Sequence, residues 1–283
     1  MGGHVRLSLT ECCPFLIELA AVHSEPFVTP FDLRFVLFGF PIRVQGLFWL
    51  VALLICANGP LQGGTILVLM GGFFVSILVH ELGHTFAFRY YGIRSHIVLY
   101  WLGGLAIPGS PAFGPQFPWE NDYSSRKRGG PWQHVIISFA GPAAGFLLAS
   151  LIILLIVGTG GKFQLVSSFP VFWTFQLPAR QAGNLTLFFL VHYMLYFNIF
   201  WGLMNLLPVF PLDGGQIARE LFIMSDPWEG ANRSMLVSTV VGVAAGIGGF
   251  IIGSQYMGFL FLSLAYSSYI AWQQMQGRGG RPW

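Results

Sequence analysis

His80, Glu81 and His84 stand within five positions of one another in "FFVSILVHELGHTFAFRYYG", residues 73–92. On a helix, residues four apart share a face one turn apart, so the two imidazoles can close on a single ion. Glu81 follows the first histidine directly, which lets its carboxylate reach a water held by that ion. This is the HExxH arrangement of zinc metalloproteases. The rest of the stretch is apolar, and an ionisable group inside an apolar helix of membrane length costs roughly 3 kcal/mol or more. Two histidines and a glutamate that merely satisfied one another between helices would still need a compensating partner.

Two histidines leave a catalytic zinc site one protein ligand short. Of the chain's 11 acidic residues, only Glu81 and Asp213 fall within or at the edge of an apolar stretch. Asp213 follows "FNIFWGLMNLLPVFP", where Pro208 and Pro211 must break a helix and Gly214 and Gly215 then permit an unusual backbone path. Non-helical backbone is tolerated at membrane depth where it lines a cavity, and a broken helix ending in a carboxylate can aim a third ligand. Read without the histidines, "LDGG" is more readily an ordinary cytoplasmic turn. His192 lies towards the opposite membrane face and is expected to make an interhelical hydrogen bond. His96 and His134 fall at helix ends or in loops and carry no ligand role.

The elements that must position these groups follow from composition. The 283 residues are 54% hydrophobic and 9% charged, with mean hydropathy +0.66, whereas an ordinary soluble domain is about 25% charged. The chain therefore reads as an integral membrane protein. Six apolar stretches are candidate spans: roughly 44–58, 65–91 with a stop at Gly92, 134–158, 185–207, 235–252 and 256–273. With both termini cytoplasmic, Lys162 and Arg180 alone of the 14 basic residues fall outside, a strong positive-inside bias. The basic residues are scattered, which excludes a nucleic-acid surface. Cys12, Cys13 and Cys56 make no disulfide framework. Residues 1–43 lack the apolar core and cleavage site of a signal peptide, and Arg6 stands where a myristoylation site needs Ser or Thr.

The expected organisation is a cytoplasmic segment 1–43, a six-helix membrane domain 44–274 and a cytoplasmic tail 275–283. Residues 108–131 read as a mobile cytoplasmic loop. Residues 159–184 read as an external connection whose "FPVFWTF" aromatics lie on the interface. Gly242, Gly246, Gly249 and Gly253 form two small-xxx-small pairs that suggest close helix packing. In "HIVLYWLGGLAIPG", 96–109, β-branched and aromatic residues around Gly103 and Gly104 read as a hairpin, although a plain re-entrant loop fits equally. The fold class is an all-α integral membrane protein of about six transmembrane helices, with a small membrane-associated β-hairpin and a broken fourth helix.

Three stretches carry a family likeness: "HELGH" (80–84), "SFAGPAAGFLLA" (138–149) and "NLLPVFPLDGG" (205–215). In order and spacing, over roughly residues 40–270, the chain resembles the site-2 protease family of intramembrane zinc metalloproteases. The resemblance implies one Zn2+ per chain held by His80, His84 and Asp213, with Glu81 as general base. It implies cleavage, inside the lipid bilayer, of single-pass membrane proteins such as anti-sigma factors, membrane-tethered regulators or signal-peptide remnants. It also implies a multi-pass protein of a bacterial inner or plasma membrane. The segment 96–109 is similar to the family's membrane-embedded hairpin, whose edge could accept an unwound substrate by strand addition, with Gly103 and Gly104 at the contact. Many members carry an asparagine where this chain has Gly145, so Asn205 becomes the candidate oxyanion donor, or else only caps carbonyls near Pro208. The competing readings are an inactive zinc-binding membrane protein and a metal transporter, which would spread polar groups along a path across the bilayer. A Ste24-like protease would need a downstream glutamate inside a span, and there is none.

Overall fold

The computed structural model describes residues 26–57, 63–101, 103–109, 130–166 and 173–277. Strands β1 (Leu33–Leu37) and β2 (Phe40–Val44) precede helix α1 (Gly46–Cys56) and the long α2 (Gly63–Tyr90). Strands β3 (Ser95–Tyr100) and β4 (Gly103–Pro108) follow, then α3 (Pro131–Gly158) and a second hairpin, β5 (Lys162–Leu165) with β6 (Trp173–Gln176). Helix α4 (Leu185–Leu195) continues through a π-helical stretch, Tyr196–Trp201, into a last turn at Gly202–Asn205. The chain ends in α5 (Asp213–Ser225), α6 (Gly230–Ile251) and α7 (Gln255–Gly277).

Among the described residues, four helical segments are long and apolar enough to cross a membrane: Gly63–Tyr90, Trp132–Gly158, Leu185–Asn205 and Gly230–Ile251. That is four of the six expected spans. Helix α1 has 11 residues, about 16 Å of rise, against a hydrocarbon core of about 30 Å. Helix α7 has 23 residues but is diluted by Gln255, Gln273, Gln274 and Gln276. The helix stop read at Gly92 is present: its φ is +73° and the Ile93 N–H closes on the Phe88 carbonyl, the left-handed C-terminal motif that glycine favours.

The hairpin expected at 96–109 is larger than its sequence signal. β1, β2, β3 and β4 form one four-stranded sheet in that order, with β2 and β3 parallel and the outer pairs antiparallel. The β1–β2 turn places Phe38 (φ +51°) and Gly39 (φ +83°) in the left-handed region, the two-residue turn whose twist suits a hairpin. Phenylalanine is a poor advertisement for such a turn, so the sequence does not betray it. Phe40, Ile42, Val44, Ile97 and Leu99 point into a shared core with Phe48 and Ala52 of α1 and Leu69, Phe73, Leu78 and Leu82 of α2. The short α1 and the sheet thus stack end to end along α2.

Three further expectations are corrected. Of the "FPVFWTF" aromatics, Trp173 and Phe175 are buried on β6 against α3 and α4 and not spread on an interface, and Phe169 and Phe172 lie outside the described residues. Residues 213–225 form an amphipathic helix, which the turn signal of "DGG" masked. Gly253 lies beyond the end of α6 with φ +80°, so it terminates the helix. The other three glycines do pack: Cβ atoms at Gly242, Gly246 and Gly249 would stand 2.9 Å from the Ala265 Cβ, 2.8 Å from the Leu262 Cγ and 2.7 Å from the Gly258 nitrogen of α7. The loop expected over 108–131 lies outside the described residues for 110–129, as do Cys12, Cys13 and the tail beyond 277.

Candidate metal centre

Helix α2 presents His80 and His84 one turn apart on its inner face, and α5 opens on Asp213 opposite them. Asp213 Oδ2 lies 3.1 Å from His80 Nε2 and Oδ1 lies 3.3 Å from His84 Nε2. The two Nε2 atoms are 3.3 Å apart. A tetrahedral zinc with ligand bonds of about 2.0–2.1 Å has edges of about 3.3–3.4 Å, so the two imidazole nitrogens stand about one such edge apart, and each has a different oxygen of the Asp213 carboxylate at a similar distance. Among the described residues this is the group of histidine and carboxylate side chains able to hold a metal. The donor set, two imidazole nitrogens and one carboxylate oxygen, also suits zinc.

The surroundings orient the ligands. His84 Nδ1 lies 2.7 Å from the Ile137 carbonyl of α3. A carbonyl only accepts, so Nδ1 carries the proton and Nε2 keeps its lone pair for a metal. Gly141 of α3 sits directly against both rings: a Cβ there would stand 2.1 Å from His84 Nε2 and 2.8 Å from His80 Nε2. Gly83 allows this approach, because its own Cβ would stand 2.3 Å from the Ala140 carbonyl oxygen. The glycines of "HELGH" and "SFAGPAAG" are therefore two sides of one close α2–α3 contact.

Asp213 is delivered by the break that the prolines impose. The last turn of α4 ends at Asn205, and the chain folds over 206–212 through a cis Phe210–Pro211 peptide before α5 begins. Gly214 and Gly215 lie against this fold, with Cβ positions 2.1 Å from the Leu206 carbonyl oxygen and 2.4 Å from the Phe210 nitrogen. Any larger residue at either would push Asp213 away. Asn205 Nδ2 is 3.3 Å from His80 Nε2 and 3.5 Å from Asp213 Oδ2, so its amide belongs to the centre.

Glu81 is buried and turned towards the sheet. The Ala106 N–H of β4 donates to its carboxylate, and a Cβ on Gly104 would stand 2.4 Å from Glu81 Cγ and 2.5 Å from Oε1. Among the described residues, β4 is an edge strand of the sheet. Because Ala106 points its N–H outward, strand alternation also turns the Gly104 N–H and carbonyl to that edge. Gly104 thus touches Glu81, while Gly103 pairs with Tyr100 at the turn with φ +135°.

His192 stacks near Phe188, with ring centroids 6.4 Å apart, away from the cluster. His96 is buried on β3 beside the Gly109 carbonyl. Sequence reasoning gave no role to Gly141 or to the Ala106 N–H. Backbone donors leave no residue-type signature, and Gly141 was legible only as part of a glycine-rich run.

The model of peptidase family M50 matches residues 68–247, which include all three motifs. A zinc metalloprotease of Methanocaldococcus jannaschii is 27% identical over 192 residues, covering 66% of this chain and 44% of that protein. A Synechocystis protein provisionally named as a zinc metalloprotease is 27% identical over 260 residues, covering 86% of this chain and 57% of its own length. The chain thus spans about half the length of these curated relatives. The structure of the site-2 protease from M. jannaschii aligns with a TM-score of 0.46 at 21% identity, over 86% of this chain and 94% of that one. With the family match covering more than half of its residues, the chain belongs to peptidase family M50, the site-2 protease family.

Proposed function

We propose that this protein is an intramembrane zinc metalloendopeptidase that hydrolyses peptide bonds within or near membrane-spanning segments. The observation that carries the reading is the cluster of His80, His84 and Asp213, whose two Nε2 atoms lie 3.3 Å apart with one Asp213 oxygen 3.1 Å from His80 and the other 3.3 Å from His84, and a buried glutamate next to its first member. Bound zinc supplies Lewis acidity towards water and the scissile carbonyl. Glu81 takes the proton of the attacking water and passes it to the leaving amine. Asn205, with its amide at the ligand atoms, donates to the oxygen on which charge develops. The open edge of β4 accepts the unwound substrate as an added strand, running past Glu81.

The substrates in this reading are single-pass membrane proteins: anti-sigma-factor-like proteins, membrane-tethered regulators or signal-peptide remnants. The setting is a bacterial inner or plasma membrane with both termini cytoplasmic. That orientation rests on the twelve basic residues it places inside against Lys162 and Arg180 outside, 14 in all. Helices α1 and α7 would complete six spans, with α1 crossing half the bilayer and the sheet continuing beside α2. A transporter would string polar groups along a path, whereas the cluster here lies at one depth.

The test compares the wild type with Glu81→Gln and Asp213→Ala. Glu81→Gln is expected to keep its zinc while single-pass membrane proteins accumulate uncut in the host. Asp213→Ala is expected to lower zinc occupancy in purified protein. Cleavage retained by Glu81→Gln would remove the general-base role, and full occupancy in Asp213→Ala would remove the third ligand.

A further inference from the structure

Two buried polar side chains take no part in the centre described above: Asn198, 3% exposed, and Ser76, 4% exposed. Asn198 lies in the π-helical stretch Tyr196–Trp201 that interrupts α4. Such stretches widen a helical turn and are found mostly at functional positions. Here Asn198 is turned towards α2 and α3 and away from lipid. Its Nδ2 donates to Ser76 Oγ at 2.9 Å and to the Met194 carbonyl at 2.8 Å. Ser76 Oγ in turn donates to the Gly72 carbonyl at 2.9 Å. A Cβ on Gly145 would stand 3.4 Å from Asn198 Oδ1 and 3.5 Å from the Asn198 carbonyl oxygen. The space that a side chain at 145 would fill is the space that Asn198 reaches into from the neighbouring helix.

The position of this junction is specific. Ser76 lies four residues before His80 on α2. Gly145 lies four residues after Gly141 on α3. Asn198 lies seven residues before Asn205 on α4. Ser76 and Gly145 are therefore one turn from a residue of the metal centre on the same face of their helices, and Asn198, across the π-helical stretch, reaches α2 as Asn205 does. Asn198 and Ser76 form the polar layer next to the ligands, about 6 Å away along α2.

We propose that Asn198 is a positioning residue of the metal centre: seated in the notch at Gly145, its amide holds Ser76 and so fixes the rotation of α2 that aims His80 at Asp213. Between helices in lipid, no hydrophobic force sets that rotation, and packing and interhelical hydrogen bonds must. Rotating a helix by about 10° moves a side-chain atom some 5–6 Å from its axis by about 1 Å. A zinc ligand tolerates only about 0.2 Å. The Asn198–Ser76 bond joins α4 to α2 one turn before His80. The inference rests on the metalloprotease reading.

The experiment uses the full chain purified in detergent, with zinc affinity measured by chelator competition, thermal midpoint by unfolding, and kcat and KM on a model transmembrane substrate. Asn198→Ala is expected to weaken zinc binding about 10–100-fold, the usual effect of losing an outer-shell partner, and to lower kcat with KM unchanged. Ser76→Ala should act in the same direction with a smaller effect. The double variant Asn198→Ala/Gly145→Asn should recover most of the lost affinity, because it returns an amide to the same notch from α3. Asn198→Ala with a lowered thermal midpoint but wild-type zinc affinity and kcat would overturn the proposal, leaving the amide as helix packing only. Should Asn198→Ala fail to fold, Ser76→Ala decides: unchanged zinc affinity in that folded variant overturns the proposal. Wild-type protein that binds no zinc would overturn the metalloprotease reading and this one with it, a result distinct from unchanged affinity in the variants.

Discussion

Gly141→Ala adds one methyl group at the point where α3 meets both histidines. The added Cβ would stand 2.1 Å from His84 Nε2, 2.5 Å from His84 Cε1 and 2.8 Å from His80 Nε2, where ordinary contact begins at 3.4 Å. The His84 ring would have to retreat by about 1.3 Å, the difference between 3.4 and 2.1 Å. It cannot do so freely, because Nδ1 is tied to the Ile137 carbonyl at 2.7 Å. Zinc–ligand distances hold within about 0.2 Å, so one imidazole is lost from any ion at this centre. Losing an outer-shell partner costs 10–100-fold in metal affinity. Losing a ligand should cost at least about 100-fold, or about 2.7 kcal/mol. The fold should survive, since Gly→Ala inside a helix is favourable by about 0.5–1 kcal/mol. The assay is chelator competition for zinc on detergent-purified protein, with the thermal midpoint as a folding control. Gly141→Ala that folds and binds zinc as tightly as the wild type would refute the placement of His80 and His84 against α3.

Gly104→Ala should leave zinc affinity unchanged and lower kcat by about 10²–10⁴ through displacement of Glu81, the proposed general base, since its Cβ would fall 2.4 Å from Glu81 Cγ; wild-type kcat would rule out the β4–Glu81 contact. Asp32 precedes β1, outside the membrane-spanning helices, with its carboxylate buried at 3.0 Å from the fully buried Arg43. Burial pushes that carboxyl up, but hydrogen bonds from Thr29 and Arg43 outweigh it and hold the pKa below the ordinary carboxylate value. A lowered folded-state pKa contributes stability above the unfolded value of about 3.9, which is lost as pH falls through the folded value. The thermal midpoint of the wild type should therefore exceed that of Asp32→Asn at pH 6, and the gap should close on acidification below about pH 4; a gap independent of pH would sink the ion-pair assignment.

What the sequence disclosed, and what it withheld, divides along physical lines. His80, His84 and Asp213 were legible because ionisable side chains are rare and costly in apolar stretches, so three at one depth stand out. The break at Pro208 and Pro211 was legible because a missing N–H cannot be hidden in a helix. The β1–β2 hairpin was not, because its left-handed turn is filled by Phe38, and its buried charge, Arg43, finds its partners in Asp32 and the carbonyls of Pro26 and Phe27, short of any motif. Helix α5 was hidden behind "LDGG", which reads as a turn until the fold at 206–212 is seen to need two residues without side chains. Asn198 carried a faint signal, two helical turns before Asn205 on one face, but an asparagine in an apolar helix says little until its partner Ser76 is known.

The sheet answers a question that the helices leave open. A transmembrane substrate enters as a helix whose peptide groups are already hydrogen-bonded, and in lipid each freed group costs several kcal/mol unless it finds a partner. A bundle of helices has none to offer, since its own backbone is fully paired. The edge of β4 does: the Gly104 N–H and carbonyl face outward at the level of Glu81, and the four strands behind that edge hold it in place. The Ala106 N–H on the same edge is taken by the Glu81 carboxylate, so the strand that would receive substrate also orients the base. On the proposed reading a short α1 leaves room along α2 for the sheet, which a full-length first helix packed there would occupy.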